Sequence, residues 1–415
     1  MTSSPDWPRL FARRAAGIRL GLSPVRAAYE RLGRPCAGAR AVHLVGTNGK
    51  GSTAHALSHA LSRAGLRVGG YTSPHLVSVA ERVRVEGAPA DERTLWEACR
   101  AVLAVADDPA LPRPLSFFEV LTLAALRVFD RAGVEVVVLE AGLGGRLDAT
   151  RVLPAAHLGV TRIGLDHQAV LGPDLASIAA EKAGAMLPGQ RVFSVPQPAE
   201  AATVLRDRAR AVGASLTFLT PCEIEAARGP WPAHLAGARA LALALGRCLV
   251  PALSPADLPA SPPPGRLSVV PFGRGRVLAD VAHNADGIEA CARMVGRWAV
   301  GGRADLVLAA VLRPREAGAL LRPLAAVARH RAYVSLPEAA APPAGWPVVL
   351  PGAAAAGDLA ARWARRGGDV VVAGSFRLVG PVLARLGASP VEAGVADAVD
   401  PQDPGAFLER PPAHG

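Results

Sequence analysis

Lysine and asparagine are almost missing from this chain. Lysine and arginine together number 46, of which only Lys50 and Lys182 are lysine, and the only asparagines are Asn48 and Asn284. An exposed cation can be either basic residue at little cost. A lysine kept against that drift is a candidate for chemistry closed to a guanidinium, because an ammonium on a flexible stem can lose its proton or be modified. Cysteine is also sparse. Cys36, Cys99, Cys222, Cys248 and Cys291 are odd in number, far apart and in no CxxC or Cys/His cluster, which argues against a disulfide framework or a zinc site. They fit a reduced, cytoplasmic protein with buried thiols. No apolar core of signal-peptide length follows Met1. Apolar windows elsewhere are broken by Arg, Asp or Gly well short of the roughly 20 residues that span a membrane. Aromatics make up 4% of the chain, so the cores must be built from Ala, Leu and Val.

What is present points to anionic ligands. The net charge is +11. The arginines are scattered, with no basic run interleaved with aromatics, so nucleic acid is not the expected partner. Phosphorylated or polycarboxylate small molecules fit the charge as well.

The length of 415 residues suits two domains. Residues 134–141 (VEVVVLEA) are a continuous β-branched apolar run, the pattern of a strand covered on both faces. Similar runs lie at 40–46, 156–162, 191–195, 304–311 and 369–374. Helical stretches alternate with them, at 92–106, 117–132, 174–186, 198–212, 284–299, 315–329 and 353–366. This alternation predicts an α/β fold with parallel sheets of βαβ units. The proline-dense stretch 251–264 reads as a linker between a domain over 1–250 and another over 265–387. Residues 388–415, poor in large apolar residues, read as a mobile tail.

Gly46-Thr47-Asn48-Gly49-Lys50-Gly51-Ser52-Thr53 joins a strand to a helix. Glycines let backbone N–H groups converge on an anion, and the helix N-terminus adds partial positive charge. Lys50 supplies a mobile charge for β- and γ-phosphates, and Ser52 and Thr53 supply hydroxyls. The pattern GxxxxGK[ST] is not met, since Leu44 holds its first glycine position and Gly51 follows the lysine.

This motif resembles the Mur ligase superfamily of ATP-dependent amide ligases. GTNGKGS is similar in particular to the folylpolyglutamate synthase and dihydrofolate synthase branch. Further segments match in order: YTSPHLVSVAERVRVEG at 71–87, LSFFE at 115–119, LEAGLGGRLDAT at 139–150, LDHQAVLG at 165–172, PGRL at 264–267, DVAHN at 280–284 and GSF at 374–376. The resemblance implies an N-terminal P-loop ATPase domain with a mainly parallel sheet, a C-terminal Rossmann-like α/β domain, and an active site in the cleft between them. With the P-loop starting at residue 46, an upstream UDP-binding domain like that of the cell-wall ligases is not expected.

The implied reaction joins L-glutamate to dihydropteroate, and to tetrahydrofolate, at the expense of ATP and through an acyl phosphate. The alternatives are dihydrofolate synthase activity alone, or a degenerate nucleotide-binding homologue. By resemblance, Thr47, Asn48, Gly49, Lys50, Gly51, Ser52, Arg266 and Asp280 bind ATP, and His283 approaches the phosphates. Ser73, Glu140 and His167 hold magnesium, and Lys182 is carbamylated to hold a second ion. Ser116, Phe117, Phe118, Glu119, Leu147, Asp148 and Ala149 line the pterin pocket, with Ile18-Arg19-Leu20 as the N-terminal acceptor loop. A monomer is expected. There are departures from the family pattern, among them a short stretch over about 213–233. Arg313-Pro314-Arg315 stands where the family carries an acidic triplet, and no asparagine lies on the helix near 236–246.

Overall fold

The computed structural model describes residues 5–16, 20–313 and 315–388. Ile18 and Arg19 of the acceptor loop, Pro314, and residues 389–415 of the expected tail lie outside the described residues. The chain divides into two compact units between Ala260 and Ser261.

The first unit holds β1 (Arg40–Val45), β2 (Val68–Tyr71), β3 (Val83–Val85), β4 (Ala88–Pro89), β5 (Val136–Glu140), β6 (His157–Val160), β7 (Arg191–Ser194) and β8 (Ser215–Phe218). They form one sheet in the order β4-β3-β2-β5-β1-β6-β7-β8. Only the β2–β3 and β3–β4 pairings are antiparallel. β5 and β1 lie centrally, which explains why all of VVVLE is buried. Its side chains alternate. Val136 and Val138 join Leu57, Leu61 and Leu241, under the helices Lys50–Arg63 and Ala233–Arg247. Val137 and Leu139 join Leu95, Leu121 and Phe129 on the opposite face. The register pairs Leu44 with Glu140 and Val45 with Val160. Gly46, Glu140 and Thr161 therefore emerge together at the carboxyl edge of the three middle strands, where ligand sites of parallel sheets gather.

Residues 251–260, read from sequence as linker, pack on this first unit. Leu253 and Leu258 are buried in the core under the helix Ala233–Arg247. Arg239 on that helix, itself buried, donates from Nε to Ala227 O (2.7 Å), from Nη2 to Pro255 O (2.8 Å), and from Nη1 to Pro259 O. A proline-rich segment cannot satisfy its own carbonyls through a ladder. The guanidinium fork satisfies them instead.

The second unit holds β9 (Ser268–Phe272), β10 (Gly275–Asp280), β11 (Ala304–Ala309), β12 (Ala328–Val334), β13 (Val348–Leu350) and β14 (Asp369–Ala373), ordered β13-β12-β11-β14-β10-β9. Only the β9–β10 hairpin is antiparallel. The expected helix over 315–329 is shorter, Ala317–Ala326, and β12 begins at Ala328. The sequence ARHRAYV carries its apolar residues mostly at one end, so neither period identifies it.

Candidate functional site

The Gly46–Lys50 turn is locked onto the segment that follows β6. Gly46 has φ 141°, and a Cβ there would fall 1.9 Å from Thr161 Oγ1. Thr47 N donates to Arg162 O (2.8 Å), and its hydroxyl lies 3.0 Å from both Gly164 O and Gly164 N. Gly49, at φ 100°, caps the helix Lys50–Arg63. Thr53 Oγ1 turns back to Gly49 O (3.0 Å). Ser52 is buried, and its Oγ has no hydrogen-bond partner among the described residues. The cradle thus presents a helix N-terminus and a buried hydroxyl whose bond is not made by protein.

Both lysines of the chain meet here. Lys50 Nζ donates to Gly46 O (3.0 Å) and Thr47 O (3.2 Å). Lys182 Nζ donates to the same Gly46 O (2.9 Å). Lys182 projects from the helix Leu175–Ala183 and is 4% exposed. Burial pushes its amine down to about 7, and the Lys50 ammonium adds to the effect. The carboxylates of Asp166 and Asp148 oppose it. A helix lysine of ordinary appearance is thereby held largely able to be neutral.

The GLGGR turn after β5 supports that helix. Arg146 N donates to Glu181 O (2.9 Å), and its guanidinium forks onto the Glu181 carboxylate (2.8 Å at the closest). Asp148 is buried and fully engaged. Its Oδ2 accepts from Gly142 N (2.9 Å) and Leu143 N (3.0 Å), and its Oδ1 from Thr150 N (3.0 Å) and Thr150 Oγ1 (2.7 Å). Asp148 therefore shapes the turn, with Ala149 buried and Leu147 partly exposed beside it.

Glu140 ends β5, and its Oε2 accepts from Ser73 N (3.0 Å). A Cβ on Gly51 would lie 3.3 Å from the same oxygen. Ser73, Glu140 and the P-loop are thus one neighbourhood. His167 is exposed at φ 53°, and its backbone N donates to Asp166 Oδ1 (2.9 Å). Among the described residues no cluster of three or more His, Cys, Asp or Glu is gathered as a metal site. The oxygen donors of Ser73 and Glu140, with the unsatisfied Ser52 Oγ close by in sequence to Gly51, fit a hard cation such as magnesium, which takes few protein oxygens and keeps water.

The LSFFE segment separates its two phenylalanines. Ser116 and Glu119 form a capping box on the helix Phe117–Arg131. Glu119 is also held by Arg113 through two bonds (2.8 and 2.9 Å). These two side chains start the helix. Phe117 packs on Phe11, with guanidiniums of Arg14 and Arg82 at 4.5 and 5.3 Å from its centroid. Phe118 is partly exposed, lies 5.7 Å from the Tyr71 ring, and abuts Gly142, where a Cβ would come within 2.7 Å. Phe118 is the ring with a face to offer. Tyr71, His75, Arg82 and Arg113 escaped notice in the sequence; a buried arginine at a strand start reads like any surface one.

In the second unit Asp280 ends β10 and is buried, which raises its carboxyl above the usual range. It accepts from Leu267 N (2.9 Å) and Ala282 N (2.7 Å). Arg266 lies 5.5 Å from the Phe376 centroid, and the His283 ring lies 6.0 Å from the same ring. His283 Nδ1 stands 2.9 Å from Val281 O. Asn284 caps the helix Ala285–Trp298 and Ser375 caps Phe376–Arg385. Arg313 and Arg315, in place of acidic residues, lie where Arg313 N donates to Glu338 O (2.9 Å) and Arg313 Nε to Ala339 O (3.1 Å).

A glycine-lined turn from a central parallel strand into a helix opened by lysine defines a P-loop nucleotide-binding protein of the α/β class. No family model matches the chain. The Escherichia coli dihydrofolate synthase/folylpolyglutamate synthase is 41% identical over 201 residues, 48% of this chain and 46% of that protein. The Bos taurus mitochondrial folylpolyglutamate synthase is 35% identical over 246 residues, 55% of this chain and 42% of that protein. The chain spans less than half the length of the curated relatives it matches by sequence. Among solved structures, E. coli FolC in complex with DHPP and ADP superposes with a TM-score of 0.78 at 30% identity, covering 94% of this chain and 99% of that one. The Yersinia pestis bifunctional enzyme with AMPPNP and Mn ion gives 0.79 at 28% identity, over 93% and 99%. The chain belongs to the folylpolyglutamate synthase and dihydrofolate synthase family.

Proposed function

We propose that this protein joins L-glutamate to a pterin acid in an ATP-dependent reaction, with dihydropteroate and tetrahydrofolate as acceptors. The observation that carries this reading is the Gly46 carbonyl, which receives both Lys50 and Lys182. It sets a phosphate-binding ammonium beside a buried amine that is readily neutral. Relatives are named for both activities, and related structures hold ADP with DHPP, or Mn, AMPPNP and L-glutamate.

The acceptor carboxylate oxygen attacks the γ-phosphorus of ATP and ADP leaves, giving an acyl phosphate. The glutamate amine then attacks the acyl carbon, phosphate departs and the amine loses a proton. Catalysis is mostly positioning and charge neutralisation. Thr47, Asn48, Gly49, Gly51 and Ser52 cradle the phosphates. Lys50 swings from Gly46 O to the β- and γ-phosphates. Arg266, Asp280 and His283 also serve the nucleotide. Phe118 stacks on the pterin ring, while Ser116, Glu119, Asp148 and Ala149 fix the walls and Leu147 adds an apolar contact. Ser73, Glu140 and His167 would hold a magnesium ion, and carbamylated Lys182 a second, supplying charge neutralisation around the phosphates. The thiol of Cys222, exposed and free, fits a cytoplasmic setting. No helix among the described residues is long and apolar enough to cross a membrane.

The test is ADP release with glutamate and either dihydropteroate or tetrahydrofolate. Release with both acceptors is expected. Release with dihydropteroate alone would restrict the function to dihydrofolate synthesis. ATP binding without acceptor-dependent ADP would identify a degenerate homologue and end the ligase reading.

A further inference from the structure

Arg82 is a buried cation that its surroundings hold in place without a carboxylate bonded to it. It is 7% exposed, at the end of the 3-10 turn Val79–Arg82. Its Nε donates to His75 Nδ1 (2.9 Å), so the imidazole proton is on Nε2. Its guanidinium stands beside the Tyr71 hydroxyl and 5.3 Å from the Phe117 centroid. It forms no ion pair with a carboxylate among the described residues. The nearest acids, Glu140 and Glu81, favour its charge through space but accept hydrogen bonds from other groups. Glu81 accepts from the amides of Leu76, Val77 and Ser78 (2.8, 2.8 and 2.7 Å), and Glu140 accepts from Ser73 N while facing Gly51. Arg14, on the same Phe117 ring, adds a second cation. A buried guanidinium with no carboxylate bonded to it is costly, and an anionic ligand that bonds it lowers that cost.

The ligand's chemistry follows from Tyr71. Its ring lies 5.7 Å from that of Phe118, and its hydroxyl stands beside Arg82. One phenol side chain thus separates the exposed aromatic face from the guanidinium. That span matches a benzoyl group carrying a flat heterocycle at one end and a carboxylate at the other. We propose that Arg82, oriented by His75, is the positioning residue that binds the acceptor's aryl carboxylate beside Glu140 and the P-loop. This deepens the ligase reading and rests on it.

The test is equilibrium binding of pteroic acid and of its neutral carboxamide to the full chain, with Arg82→Gln, Arg82→Lys and His75→Gln. Wild type is expected to prefer the acid at least about tenfold, as loss of a charge-assisted bond implies. Arg82→Gln should abolish the preference while binding the carboxamide within about twofold of wild type. Arg82→Lys, which keeps charge but loses the fork and the His75 bond, should retain part of it, and serves if the glutamine variant does not fold. His75→Gln should weaken the acid alone. The KM for ATP should stay unchanged throughout. An Arg82 variant that keeps the wild-type ratio, or weakens both ligands equally with a lowered Tm, overturns the proposal and leaves the ligase reading standing. Wild type that binds neither compound overturns both.

Discussion

Replacing Lys182 by methionine should change how stability depends on pH. The amine sits at about 7 in the folded protein against an ordinary value of 10.5, chiefly because it is buried. Between those values the folded chain holds fewer protons than the unfolded chain, so unfolding takes up a proton and stability rises with pH. Below about pH 7 both states are protonated and the cost of burying the ammonium is felt in full; above about 10.5 it vanishes. At about 1.4 kcal/mol per pH unit, that cost is on the order of 5 kcal/mol. Urea unfolding in carbon dioxide-free buffer from pH 7 to 10 should show wild type gaining stability relative to Lys182→Met at every step. Parallel curves would refute the depressed amine. The same shift sets the chemistry. An amine at its ordinary value is about 1 part in 3,000 neutral at pH 7, whereas this one is about half neutral. Only the neutral amine adds carbon dioxide, giving a carbamate and a released proton. Lys182→Arg stays charged and should lose activity with or without bicarbonate; full activity in that variant would eliminate the carbamate.

Gly46→Ala would drive a Cβ to 1.9 Å from Thr161 Oγ1 at φ 141°. ATP affinity, measured by calorimetry, should fall by at least about tenfold, the scale of roughly 1.4 kcal/mol. Phe118→Ala should raise the acceptor KM about tenfold with the KM for ATP unchanged, since stacking contributes about 1 kcal/mol or more. Phe117→Ala should instead cost about 3 kcal/mol in urea unfolding, because that ring is core. Arg239→Ala should cost about 3 kcal/mol by stranding the carbonyls of Ala227, Pro255 and Pro259; a loss under about 1 kcal/mol would show that water replaces the guanidinium.

The parts of this fold that were legible in sequence are those where one period dominates. VEVVVLEA had to be a doubly covered strand, and GTNGKGS after a buried run had to be a strand-to-helix turn. β12 was not legible, because ARHRAYV alternates in neither register, and the segment 251–260 was not, because its partner Arg239 lies on another helix. The site divides the same way. Rarity singled out Lys50 and Lys182, yet nothing in either motif says that both ammoniums use one carbonyl 136 residues from the farther lysine. That depends on the register of β1 against β6, which sets Gly46 beside Thr161, and on the GLGGR turn, which holds the Leu175–Ala183 helix through Arg146 and Glu181. Composition marks a residue whose chemistry is irreplaceable. It cannot mark Arg82, whose importance comes only from being buried without a carboxylate in a chain where arginine is the commonest cation.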